Sequence, residues 1–141
     1  MTVLVDTTIW SLALRRPSHR LSAVQQRLIA EWCRLVEDGE AALLGLIRQE
    51  ILSGVRDRDV FDSLRDRLAG IDCLSIGLDD YDEAARFYDE LRSRGVAGGT
   101  VDLLLCAVAC RRGCPIFTTD HDFVRYAQHL PLQLHRVPSG R

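Results

Sequence analysis

Short apolar runs alternate with longer amphipathic stretches along this chain, and the alternation constrains the fold more than any other feature. Runs with the length and composition of β-strands lie at residues 2–5, 41–46, 73–76, 115–119 and 132–137. Stretches with helical spacing lie at residues 8–16, 21–37, 47–55, 60–68, 79–94, 100–113 and 122–128. Because strands that alternate with helices form parallel βαβ units, we expect an α/β three-layer sandwich with a mostly parallel five-stranded sheet.

Length and composition indicate one soluble domain spanning residues 1–141. The longest apolar run, residues 103–110, is far shorter than the roughly 20 residues that cross a bilayer. The N-terminus has no basic region and carries an acid at Asp6, so it does not have the pattern of a signal peptide. We therefore expect a cytoplasmic protein that does not contact membranes. A net charge of −2 also argues against a broadly basic nucleic-acid-binding surface.

Three of the five cysteines, Cys106, Cys110 and Cys114, recur at spacings of four residues and raise the possibility of a thiolate metal site. The chain has no Cys-x-x-Cys pair and no evident fourth ligand near them. Cys106 and Cys110 also fall in a strongly apolar helical stretch, where a free cysteine behaves as a small hydrophobic residue. We interpret these cysteines as structural.

Four acidic residues occupy positions that bring them to one edge of such a sheet. Asp6 and Asp120 directly follow predicted strands, and Asp102 lies in the first turn of its helix. Glu50 lies one turn into the helix after the second strand, on the stripe formed by residues 47, 50, 51 and 54. Ligands of parallel sheets bind where the carboxyl ends of the strands meet, so the sequence predicts one acidic cleft.

Each of these acids alone is better explained as a helix cap, a turn residue or a surface position. Together they are harder to explain, because a partly buried carboxylate without compensation costs several kcal/mol, while a whole domain is stable by only about 5 to 15 kcal/mol. Four like charges require protons or a cation. For an all-oxygen site the natural cation is Mg²⁺ or Mn²⁺, and such ions drive phosphodiester hydrolysis.

Four segments carry a resemblance to a known family: VLVDTT at residues 3–8, EILSG at 50–54, TVDLLLCA at 100–107 and IFTTDHDF at 116–123. In order and spacing they resemble the motifs of PIN-domain nucleases, and within that family the VapC toxins of toxin–antitoxin pairs. The resemblance covers essentially residues 3–137. Each motif is weak alone, but four in this order within 141 residues are specific.

The resemblance implies a metal-dependent endoribonuclease, the toxin of a type II toxin–antitoxin pair. It would hydrolyse RNA phosphodiester bonds with metal-activated water and leave a 5′-phosphate and a 3′-hydroxyl. The implied catalytic and metal-binding acids are Asp6, Glu50, Asp102 and Asp120. Asp122 is implied as an auxiliary acid that competes with Asp120, and Thr8 as a hydroxyl that orients a metal-binding carboxylate. Helix capping explains Asp122 and Thr8 equally well.

The basic candidates for holding RNA phosphates are Arg15, Arg16, Arg20, Arg111 and Arg112. For the last two we favour a role at the C-terminal end of their helix, where the macrodipole attracts cations. His121 beside the acids is a candidate for proton transfer, although a lone loop histidine is more often incidental.

The helices near the N-terminus carry more apolar side chains than one face can bury. This excess favours a groove for a partner helix near Trp10, Leu14 and Trp32, with core packing as the alternative. The family resemblance implies that a cognate antitoxin helix occupies such a groove and that the toxin forms a homodimer.

Three other functions remain open at this stage. The chain can be a PIN nuclease of RNA processing rather than a toxin, or a non-catalytic PIN-like module that binds protein or RNA. A metal-dependent phosphatase on a doubly wound sheet is the third, but it favours an Asp-x-Asp motif, and this chain has Asp6-Thr7-Thr8.

Overall fold

A computed structural model describes residues 1–14 and 21–138 of the protein. The strands are β1 (Val3–Val5), β2 (Ala41–Leu44), β3 (Asp72–Leu74) and β4 (Ile116–Phe117). The helices are α1 (Thr7–Leu14), α2 (Ala23–Glu37), α3 (Gly45–Leu52), α4 (Arg58–Leu68), α5 (Leu78–Ser93), α6 (Thr100–Arg112) and α7 (Asp122–Ala127). Among the described helices, none is both long enough and apolar enough to cross a membrane.

The four strands form one parallel sheet in the order β3-β2-β1-β4, which confirms the α/β fold with a parallel sheet. The β1 strand and the β2 strand are fully buried, as their apolar composition predicts for central strands covered by helices on both faces. The chain adds β2 and β3 on one side of β1 and then returns to add β4 on the other side. The strand order therefore reverses between β1 and β4, which is where ligands bind in open sheets of this kind.

The prediction of a fifth strand at residues 132–137 is wrong, because this segment makes only a single parallel bridge, between Ile116 and Leu134. The β4 strand has only two residues, and the segment pairs with it only at Ile116. Instead, the imidazole of His135 bonds the buried carboxylate of Glu31 on α2 and packs edge-on against Phe117 at 5.3 Å between ring centroids. Two backbone hydrogen bonds flank the bridge, from the Ile116 N–H to the Gln133 carbonyl at 2.9 Å and from the His135 N–H to the Ile116 carbonyl at 2.7 Å. Backbone pairing at one position and these side-chain contacts together hold this end of the chain.

Trp10 is a core residue, which corrects the expectation that it lines a surface groove. Its side chain is 1% exposed, and the indole N–H donates to the Val5 carbonyl at 3.0 Å. Trp32 on α2 packs edge-on against it with 5.6 Å between ring centroids. The pair joins α1 and α2 to the end of β1, directly beside Asp6.

Helices α5 and α6 are tied together by a buried carboxylate. Asp80 is 4% exposed and accepts bonds from the Arg111 guanidinium at 3.0 Å, from the Arg112 guanidinium at 3.2 Å and from the Gly77 N–H at 2.9 Å. Burial raises the pKa of Asp80, but the Gly77 N–H and the two arginines outweigh this effect and lower it overall. Arg111 and Arg112 therefore join α5 to α6. They lie at the C-terminal end of α6, the position for which the sequence favoured an interaction with the helix dipole.

Candidate metal centre

The reversal of strand order between β1 and β4 places two of the expected acids at the same cleft. Asp6 immediately follows β1 and is 7% exposed, so its carboxylate is largely removed from water. Asp120 lies in the loop that leads from β4 to α7 and is partly buried. The β1 and β4 strands are hydrogen-bonded neighbours, so the two acids come from adjacent carboxyl ends of the sheet.

Three carboxylates form the tightest acidic group in the described part of the chain. Asp102, Asp120 and Asp122 each offer an oxygen atom, and these atoms lie within 4.8 Å of one another. Asp102 is in the first turn of α6, and Asp122 begins α7. The Asp120 carboxylate accepts the backbone N–H of Asp122 at 2.9 Å, while Asp122 also pairs with Arg125 at 3.0 Å. Asp122, expected only as an auxiliary acid, thus belongs to the same close group as Asp102 and Asp120.

The electrostatics of the cleft are unfavourable without a cation. Burial raises the pKa of Asp102 to about 6, and the charges of Asp6, Asp120 and Asp122 contribute to the same shift. The Tyr126 hydroxyl, 3.4 Å from Asp102 Oδ2, opposes the shift weakly. Near neutral pH this carboxylate is therefore held ionised against the preference of its surroundings, which is the condition that a bound cation relieves.

Two threonine hydroxyls hold Asp6. Thr118 donates to Asp6 Oδ2 at 2.7 Å, and Thr8 donates to the same oxygen at 3.1 Å. Thr8 was expected to orient a carboxylate, and its hydroxyl lies where that role requires it. Thr118 was missed, since nothing local in the sequence distinguishes the first threonine of the TTD segment from the second.

Glu50 occupies a different place from the one expected. It was assigned to an inward stripe, but its side chain is exposed, and α3 ends at Leu52 rather than at residue 55. Ile47 is the buried residue of this helix. The Glu50 carboxylate instead accepts a bond from the Thr7 hydroxyl at 2.9 Å, next to Asp6 in the chain. Glu50 is thus at the rim of the cleft, outside the group of three close carboxylates.

The chemistry of the donors suits a hard divalent cation. The cleft offers carboxylate oxygens from Asp6, Asp102, Asp120 and Asp122, and no cysteine or histidine belongs to the close group in the described residues. Mg²⁺ and Mn²⁺ prefer oxygen ligands, whereas zinc prefers nitrogen and sulfur. Burial raises the pKa of the Cys106 thiol behind Asp102, so this residue stays neutral, in agreement with its structural interpretation.

The remaining candidates divide between surface positions and residues outside the description. His121 is exposed, and its side chain makes no hydrogen bond to the residues described. Arg15, Arg16 and Arg20 lie outside the described residues.

A shallow groove of about 310 Å³ lies between Leu14 and α4, and Val60 and Leu64 contribute apolar surface to it.

A second and larger groove, of about 590 Å³, runs between α5 and α6. Its walls include the exposed rings of Tyr81 and Tyr88 on α5 and the exposed Val101 on α6. Val101 directly precedes Asp102, so this apolar groove adjoins the acidic cleft.

Comparison with known proteins gives a consistent family assignment. The family model described as "PIN domain" matches residues 3–128. No curated protein matches the sequence significantly. Several solved structures share the fold at low sequence identity. FitAcB from Neisseria gonorrhoeae has a TM-score of 0.74 and 18% identity, over 96% of this chain and 97% of that chain.

Two other structures are described as members of VapBC systems. VapBC2 from Rickettsia felis, bound to a DNA fragment from its promoter, has a TM-score of 0.73 and 16% identity over 96% of this chain and 98% of that chain. VapBC-5 from Mycobacterium tuberculosis, described as a toxin–antitoxin system, has a TM-score of 0.67 and 19% identity over the same shares of the two chains. At these identities the likeness concerns the fold.

Proposed function

Because this chain belongs to the PIN-domain family, we propose that it is a metal-dependent endoribonuclease and the toxin of a type II toxin–antitoxin pair. The observation that carries the nuclease part is the convergence of three carboxylates within 4.8 Å beside the buried Asp6. Such a concentration of negative charge favours binding of a divalent cation, and the cation in turn attracts a phosphate group.

Asp102, Asp120 and Asp6 would hold Mg²⁺ or Mn²⁺, with Asp122 close enough to join them. When bound, the ion supplies positive charge for the phosphate and acidity for the attacking water. The chain orients these ligands: two threonines fix Asp6, and the Asp122 N–H fixes Asp120. Glu50 is exposed at the rim, where its carboxylate accepts the Thr7 hydroxyl beside Asp6.

The toxin part of the proposal draws on the fold. VapBC-5, described as a member of a family of toxin–antitoxin systems, shares this fold over 96% of this chain. We propose that the groove beside Leu14 and α4 receives an antitoxin helix, since Val60 and Leu64 give it an apolar floor. Trp10 takes no part because it is buried. We also propose a homodimer that forms through the α5–α6 groove, where Tyr81 and Tyr88 are exposed.

RNA cleavage by the purified protein tests the nuclease proposal. A single-stranded RNA is incubated with Mn²⁺, with Mg²⁺ and with EDTA, and the products are resolved by length. We expect cleavage with either ion and none with EDTA. Removing one carboxylate charge, in D6N or D102N, should reduce the rate at least 100-fold. Asp82→Asn is the matched control, because Asp82 is exposed on α5 and distant in sequence from the cleft.

The outcomes separate the alternatives. Cleavage that persists in EDTA and in both cleft variants would refute the metal mechanism. Absence of cleavage by the wild type under every condition, with Mn²⁺ binding intact, would favour a non-catalytic binding module. Co-expression with the reading frame next to its gene tests the toxin assignment: we expect a stable complex and suppressed cleavage. A nuclease that no neighbouring protein inhibits would belong to RNA processing instead.

A further inference from the structure

Thr118 occupies the junction between the two sides of the cleft, and no sequence pattern marks it. We propose that Thr118 is a positioning residue which, together with Thr8, restricts Asp6 to one metal-binding oxygen and fastens Asp6 to the loop that carries Asp120. This inference rests on the proposed metal-dependent function. It concerns how the ligand is presented, which the acidic cluster alone does not determine.

The first observation is that both hydroxyls converge on the same atom. Thr118 Oγ1 lies 2.7 Å and Thr8 Oγ1 3.1 Å from Asp6 Oδ2. The other carboxylate oxygen, Oδ1, accepts no side-chain hydrogen bond from the described residues. Since the Asp6 side chain is almost fully buried, its two oxygens are not interchangeable: one is saturated by the protein, and the other is left for a ligand.

The second observation fixes the direction of these bonds. Thr8 Oγ1 accepts the backbone N–H of Thr119 at 3.0 Å, and Thr118 Oγ1 accepts the backbone N–H of Asp120 at 3.0 Å. A hydroxyl has a single hydrogen to donate. With an N–H already directed at each oxygen, the two hydroxyl hydrogens are free to point at Asp6. The two hydroxyl oxygens also lie 3.3 Å apart, but each is closer to Asp6 Oδ2 than to the other, and an ionised carboxylate can only accept. Both threonines therefore donate to Asp6.

These bonds form a continuous path across the strand reversal. The path runs from Asp6, just after β1, through the Thr118 hydroxyl to the backbone N–H of Asp120. It continues from the Asp120 carboxylate to the backbone N–H of Asp122. Three acids that would hold the cation are thus linked by one network. Groups that orient metal ligands in this way typically change metal affinity 10- to 100-fold when they are removed.

Mn²⁺ binding measured by titration calorimetry tests the proposal without any RNA or turnover. Thr118→Val keeps the shape of the side chain and removes the hydroxyl, so we expect the Mn²⁺ affinity to fall at least about tenfold. Thr118→Ser restores the hydroxyl and should bind within about threefold of the wild type. Thr2→Val is the matched control for a threonine-to-valine change at the opposite end of β1, and it should leave the affinity unchanged.

A second arm distinguishes positioning from a general loss of structure. In EDTA, the unfolding of each variant by urea reports its stability, and all affinities are measured where every variant is folded. In an Asp6→Asn background, Thr118→Val should lower the Mn²⁺ affinity further by less than about twofold, because the side chain that Thr118 positions no longer carries a charge. If Thr118→Val does not fold, Thr8→Val is measured in its place, and its Mn²⁺ affinity should be at least about threefold lower than that of the wild type.

Each result has one meaning. Undetectable Mn²⁺ binding by the wild type would overturn the proposed metal-dependent function itself. Normal wild-type binding with unchanged affinity in Thr118→Val, or no rescue by serine, would overturn the positioning role alone. A full tenfold loss that persists in the Asp6→Asn background would show that Thr118 acts through the loop and not through Asp6, which contradicts the proposal as well.

Discussion

Replacing Asp102 with asparagine should stabilise the protein in the absence of metal, even though it removes a proposed ligand. Folding raises the pKa of this carboxyl from its ordinary value of 3.8 to about 6. Each pKa unit corresponds to about 1.36 kcal/mol of differential stability, so the ionised carboxylate costs up to about 3 kcal/mol at pH 7.5. Asparagine has the same shape without the charge, and it can still accept the Tyr126 hydroxyl bond.

The pH dependence makes this expectation specific. A carboxyl whose pKa rises on folding takes up protons in the folded state, so the free energy of unfolding falls as pH increases from about 4 to above 6. The advantage of D102N should therefore shrink from about 3 kcal/mol at pH 7.5 to about 1 kcal/mol at pH 4.5. Urea unfolding in EDTA, followed by circular dichroism at both pH values, measures the difference directly.

Metal should reverse the order of stability. Saturating Mn²⁺ stabilises only a folded protein that binds it, so the wild type should gain stability while D102N gains little. Asp72→Asn on the exposed β3 strand is the control, with an expected change within about 0.5 kcal/mol. A D102N variant no more stable than the wild type in EDTA at pH 7.5, or an advantage that grows toward low pH, would refute the electrostatic reasoning.

Three further perturbations have expected outcomes. Asp80→Asn leaves two half-exposed arginines without their buried partner and should cost about 2 kcal/mol of unfolding free energy, measured by urea titration; a change below about 0.5 kcal/mol would contradict it. Gly98→Ala would put a Cβ 2.8 Å from Leu103 and should cost about 1 to 2 kcal/mol by thermal unfolding, whereas Gly70→Ala, whose nearest atom is at 3.9 Å, should cost less; equal costs would refute the packing argument. Mn²⁺ affinity should fall up to about tenfold per pH unit below pH 6, as Asp102 takes up a proton, and a flat calorimetric profile from pH 7 to 5 would contradict this.

The sequence was sufficient for the features that depend on local pattern. The β1 and β2 strands lie where apolar runs predicted them, and Asp6 follows β1 as expected. The long α5 and α6 helices were within a residue of their predicted ends, because apolar periodicity and terminal glycines such as Gly113 mark them locally. A parallel sheet follows from the alternation of such elements, and with it the edge where acids gather.

Features that depend on distant partners were not predictable in this way. Thr118 bonds a residue 112 positions away, and His135 pairs with a residue 104 positions away, so neither contact leaves a local trace. The second contact lies in the segment expected to form a fifth strand, which pairs with β4 at Ile116 alone. The prediction that Glu50 faces inward is wrong, because residues at helical spacing cover a wide arc of the helix surface. Glu50 lies at the edge of that arc, and its side chain is exposed to solvent. Trp10 was ambiguous since an aromatic residue suits a core and a groove equally well.

The late insertion of β4 beside β1 has a consequence for biosynthesis. Asp6 is translated well before β4, and the loop with Asp120 follows 114 residues after Asp6. Until β4 pairs with β1, only fragments of the cleft exist. Under the proposed function, a nascent or truncated chain that lacks residues 116–122 would be harmless to cellular RNA. The topology itself would thus delay toxicity until the loop after β4 has been made, so that a partner protein translated earlier is already present.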